Sequence, residues 1–147
     1  MKRIAAVVGM TTVMVLSLAG QASARVIERG PIYDEFSEQI SNFCDVAGLT
    51  VRQDVTIDGR YVIRSHGPDQ LAYFQSHVRV QVVYTNVANR EYVIEKTHTV
   101  EKDLRITDNG DGTLTILVLA TGNAAVYDEN GKAIGRDPGQ VRYEISH

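Results

Sequence analysis

From Leu49 to the end of the chain, apolar and polar residues take turns. Val51, Val55 and Ile57 alternate with Arg52, Asp54, Thr56 and Asp58. Val78, Val80, Val82 and Tyr84 do so with Arg79, Gln81 and Thr85. A period of two is the signature of strands. Turn signals separate the runs: Asp58-Gly59, Gly67-Pro68, Ala88-Asn89-Arg90, Asn109-Gly110-Asp111-Gly112, Asn130-Gly131 and Asp137-Pro138-Gly139. Glycine, asparagine and aspartate tolerate the positive φ of tight hairpins, and proline removes a ladder donor. The pattern predicts eight to nine short strands.

Leu114 to Ala120 is apolar on both faces in its second half, as expected of a central strand covered twice. Gly122 ends it. Asp69 to Ser76 reads as a loop, with Leu71, Tyr73 and Phe74 plugging the open end of a sheet. Arg25 to Glu35, broken by Gly30-Pro31, reads as an irregular lead-in. Phe36 to Cys44 fits helical and strand spacing alike, and strand is preferred because everything downstream is β. No helical run separates the strands, which disfavours a parallel sheet. The expected fold is all-β and antiparallel: a hairpin-connected, calycin-like barrel or a sandwich, in one domain over residues 25–147.

The first 24 residues differ in kind. Lys2 and Arg3 precede an uncharged stretch from Ile4 to Ala19, and Ala22-Ser23-Ala24 supplies small residues before Arg25. This is the layout of a cleavable signal peptide, expected to be helical, followed by secretion through the general route. No second run is long enough to anchor the chain after cleavage. The whole chain carries a net charge of −3, and the signal holds two of its basic residues and none of its acidic ones. The remainder is therefore more acidic still, which argues against nucleic acid or anionic lipid as a partner.

The single cysteine, Cys44, is unusual for a secreted domain. Three readings stand: a disulfide partner lost from a C-terminally truncated chain, a buried free thiol, or a disulfide to another chain. Several stretches bear on this. Asp103 through Asn123 is similar to a block in uncharacterised secreted proteins of actinobacteria. Phe43-Cys44, Leu49-Thr50-Val51, Gly67-Pro68-Asp69, Tyr84-Thr85-Asn86 and Pro138-Gly139-Gln140-Val141-Arg142 resemble the same group. The resemblance implies a longer chain with a second cysteine near its end. It implies no activity.

Candidate chemistry is sparse. Asp108 to Gly112 resembles a calcium loop, but Thr107 and Val118 fall where ligands are needed, so a hairpin is the better reading. His66, Asp69, Tyr73 and His77 surround the expected loop. A histidine with a carboxylate can do acid–base work, and two histidines with an aspartate can hold a metal, yet no tight ligand motif is present. His98 beside Lys96 reads as a solvated position, and His147 as a frayed end. Cys44 next to Asp45 lacks the electropositive setting of a nucleophile. No cofactor is implied. The expected function is a non-enzymatic module for a small apolar ligand or a protein partner. The alternatives are a small extracellular enzyme using His66, Asp69 and His77, or a cell-envelope interaction protein.

Overall fold

The structure is a computed structural model that describes residues 24–147; the expected signal peptide falls almost wholly outside them. Six strands follow one another: β1 (Arg25–Ser41), β2 (Thr50–His66), β3 (Leu71–Asn86), β4 (Tyr92–Asp108), β5 (Leu114–Tyr127) and β6 (Ala133–Ser146). They form one antiparallel sheet in the order β1-β2-β3-β4-β5-β6. β1 and β6 are its edges, so the sheet as described is all-β and open, rather than a closed barrel or two stacked sheets.

The strands are fewer and longer than the glycines and prolines predict, and the reasons are local. Gly59 pairs with Ile32 on one side and Val78 on the other, in mid-strand. A Cβ there would lie 2.5 Å from the His77 carbonyl oxygen. Gly59 is therefore a point of close backbone approach, not a turn. Gly122 repeats the device within β5, where a Cβ would lie 2.5 Å from the His98 carbonyl oxygen. Pro31 and Pro138 both occupy edge strands, β1 and β6, where a missing N–H costs least. The expected lead-in thus belongs to β1, and Asp137-Pro138-Gly139 lies inside β6. The expected loop over Asp69–Ser76 shrinks to a turn at 67–70, and Leu71, Tyr73 and Phe74 are strand residues.

Where the turn signals do hold, the backbone shows why. Gly67, Gly110, Gly112 and Gly131 all have φ between 76° and 91°. At the β4–β5 turn, Asp108 Oδ1 accepts the Gly110 N–H and Asp111 Oδ1 accepts the Thr113 N–H and hydroxyl. Both carboxylates serve the hairpin. Residues 42–49 join β1 to β2 through a single 3₁₀ turn, Phe43–Asp45. Its Phe43 ring packs on Tyr84 of β3 at 5.6 Å. Cys44 sits in this turn at φ 52° and is exposed, which removes the buried-thiol reading.

The interior is thin. Val51, Val55, Ile106, Val118 and Ala125 are the buried apolar residues, and no described side chain is completely enclosed. β5 lies between β4 and β6, but nothing among the described residues covers it from above, so Leu114–Ala120 is central without being covered twice.

Candidate functional site

Residues paired across neighbouring strands share a face, and faces alternate along each strand. The register therefore sorts every side chain. One face carries Ile32, Phe36 and Ile40 of β1, then Val51, Val55, Ile57, Tyr61 and Ile63 of β2. It continues through Val78, Val80, Val82 and Tyr84 of β3, Ile116, Val118 and Ala120 of β5, and Val141, Tyr143 and Ile145 of β6. This is the apolar face.

Its charges are almost all negative: Glu28, Asp34, Glu38, Glu95, Glu101, Asp108 and Asp137, with Arg25 as the one cation. Asp103, beside the β4 bulge, instead turns its carboxylate to the Phe74 N–H at 2.7 Å. Burial there raises its pKa, more than that hydrogen bond lowers it.

The opposite face carries Arg29, Arg52, Arg60, Arg64, Arg79, Lys96, Lys102, Arg105, Arg136 and Arg142. Its carboxylates are Glu35, Asp54, Asp58 and Glu144. A chain that is acidic in sum is thus basic on one side. Summing the charge hides this separation; it emerges only when the register assigns each residue a face.

Tyrosine–glutamate pairs tie the strands together on the apolar face. Tyr84 donates to Glu95 at 2.9 Å and Tyr143 to Glu101 at 2.7 Å, and Tyr61 donates to Glu28. Burial, then the Glu95 hydrogen bond, pushes the Tyr84 hydroxyl up to about 12. Its folded value lies above its unfolded one. The stability gained from the neutral hydroxyl is complete below pH 10 and is lost as pH rises from about 10 towards 12. Glutamate hydrogen bonds also raise Tyr33, Tyr61 and Tyr143, so alkaline titration followed by tyrosinate absorbance should show several late-ionising tyrosines with Tyr84 the last, and Tyr84→Phe should remove that last step.

The sequence-predicted site does not come together. His66 and Tyr73 are neighbours, their rings edge-on at 5.6 Å, and they line a cavity of about 160 Å³ with Arg64 and Lys102. Asp69 lies in the exposed 67–70 turn. His77 pairs with Arg60, six residues up β2 from His66, which separates the two histidines by roughly 20 Å. Among the described residues, no three His, Cys, Asp or Glu side chains are placed to hold a metal ion. His98 is exposed on the basic face near Lys96.

His77 instead belongs to a cleft over β1–β3 on the basic face, of about 660 Å³. Smaller hollows adjoin it at Arg79 and His98. The apolar face holds a shallow hollow of about 350 Å³, beside Thr97, Ala120, Ala124 and Val141. Comparison with protein-family models, curated proteins and solved structures gives no match to the chain.

Proposed function

We propose that this is a secreted, non-enzymatic binding module whose apolar face docks a protein partner presenting apolar and basic side chains together. The observation that carries this reading is the exposed apolar rim of that face, around a middle where Val51, Val55 and Val118 are 5–7% exposed. Domains are built of at least two packed layers, because a sheet with one apolar face must bury it. Here Phe36 is 44% exposed, Val141 54% and Ile145 44%. Large apolar side chains left exposed along both edge strands mark an interaction site.

Charge narrows the occupant. The carboxylates spread over that face oppose a second copy placed face to face, and they oppose anionic lipid. They favour lysine and arginine on the partner. A small apolar ligand, the other half of the expectation, calls for an enclosed cavity, which a closed β1–β6 barrel would provide. The breadth of the face and the shallowness of its hollow favour a macromolecule.

The test uses two labelled amphipathic peptides, one of leucine and lysine, one of leucine and glutamate. The lysine peptide should bind, more weakly as salt is added. Phe36→Ser combined with Val141→Ser should lower its affinity about tenfold or more, from the apolar area lost. Equal binding of the glutamate peptide, or no effect of the double substitution, overturns the reading. So does a protein that elutes as a dimer in gel filtration with this face protected from hydrogen exchange.

A further inference from the structure

The cleft over β1–β3 lies on the opposite face from the proposed docking surface and has a different chemistry. Its volume, about 660 Å³, falls within the range of small-molecule sites, roughly 300–1,000 Å³. Three guanidiniums line it, from Arg29, Arg60 and Arg64. The register explains the convergence. Arg60 stands between Pro31 and His77, Val62 between Arg29 and Gln75, and Arg64 beside Val26 and Tyr73. Val62, Val26 and Pro31 thus give the cleft an apolar floor, with cations at three of its corners.

Among the described residues none of these three cations forms an ion pair. Among the described residues the ion pairs are Arg52–Asp54 at 3.0 Å and Arg105–Glu144 at 3.4 Å. Glu35 accepts the Tyr33 hydroxyl at 2.8 Å. The remaining carboxylate of this face, Asp58, lines the neighbouring hollow, which Arg60, His77 and Arg79 also line, and forms no ion pair among the described residues. A polar chain holds one wall in place: Arg64 donates to Gln75 Oε1 at 3.1 Å, and Gln75 Nε2 lies 3.0 Å from His77 Nε2. Gln75 thereby fixes the Arg64 head before any ligand arrives, which lowers the cost of ordering it.

Unpaired guanidiniums around an apolar floor suit an anionic head on a carbon body. Arginine forks match the paired oxygens of phosphate and carboxylate. From this geometry, we infer that the cleft binds a small organic molecule with a doubly charged oxyanion head, its apolar part lying on Val62 and Pro31. Phosphate monoesters and dicarboxylates share this chemistry.

Calorimetry with phenyl phosphate, phthalate and inorganic phosphate tests it. Phenyl phosphate or phthalate should bind more tightly than inorganic phosphate, and whichever of the two binds better identifies the head group. Arg60→Gln and Arg64→Gln should each weaken binding about tenfold, the loss of one charge-assisted contact. Arg136→Gln, on the same face but on β6, should change nothing. Val62→Ser should narrow the advantage over inorganic phosphate while leaving phosphate itself unaffected. Absence of binding by every probe at millimolar concentration overturns the inference. So does an Arg136→Gln effect equal to those in the cleft, because binding would then follow the charge of the whole face. Circular dichroism of each variant confirms that the sheet is intact. Peptide binding to the apolar face is read separately, so failure of either site leaves the other standing.

Discussion

Replacing Gly59 with valine should destabilise the protein by about 3 kcal/mol or more, the upper range for a side chain forced into a space already filled. The added Cβ would lie 2.5 Å from the His77 carbonyl oxygen and 3.0 Å from the Val78 Cα, and both are backbone atoms held in the β2–β3 ladder. They cannot rotate aside as a side chain would. Relief requires β2 and β3 to part in the middle of the sheet, which breaks ladder hydrogen bonds and disturbs the cleft lined by Gly59 and Arg60. Gly139→Ala is the matched control. Gly139 is also in mid-strand, on β6, yet a Cβ there meets nothing within 4 Å. Urea unfolding should show a large loss of midpoint for Gly59→Val and almost none for Gly139→Ala.

The second large effect separates two adjacent residues. Val118→Asp should cost about 3 kcal/mol or more, because it buries an unpaired charge. Val118 is 5% exposed and sits between Ile116 and Ala120 on the apolar face, opposite Asp103 and Tyr143. The new carboxylate would find no cation there, only the negative charge of its surroundings. Leu119→Asp moves the same change one residue along and onto the other face, opposite Lys102 and Arg142. There the lost apolar contact is partly offset by two cations, and a net cost of about 1 kcal/mol is expected. Thermal unfolding of the two variants reads the difference. Similar losses would mean that the faces are not as the register assigns them.

The alternation of Val78 to Tyr84 and the turn residues from Asn109 to Gly112 carried most of what the sequence reveals, namely strand after strand joined by hairpins. What misled was glycine and proline. Gly59 follows an aspartate, as hairpin glycines do, but its role is to let two backbones approach, and no local pattern distinguishes those two uses. Pro31 and Pro138 break a central strand yet sit without harm on an edge, and which strands are edges is settled only by the whole topology.

The candidate sites failed for a related reason. His66, Asp69 and His77 appeared close because a loop was expected between them. Once Leu71–Ser76 became strand, His77 moved far up the sheet. The cleft that took it depends on Arg29, Arg60 and Arg64, which are 31 and 4 residues apart in the chain and gather only through the β1–β2 pairing. The alternation did hold a usable signal: the arginines fall on the positions between the valines.

The register of the sheet and the cleft both depend on β2 running unbroken from Thr50 to His66 with Gly59 in its middle. Nuclear Overhauser contacts between backbone protons test this most directly. Cross-strand contacts are expected from Gly59 to Val78 and from Arg60 to both Pro31 and His77. A contact between the amides of Ile57 and Arg60, with those cross-strand contacts absent, would mean that the chain reverses at Asp58-Gly59, and would contradict that register.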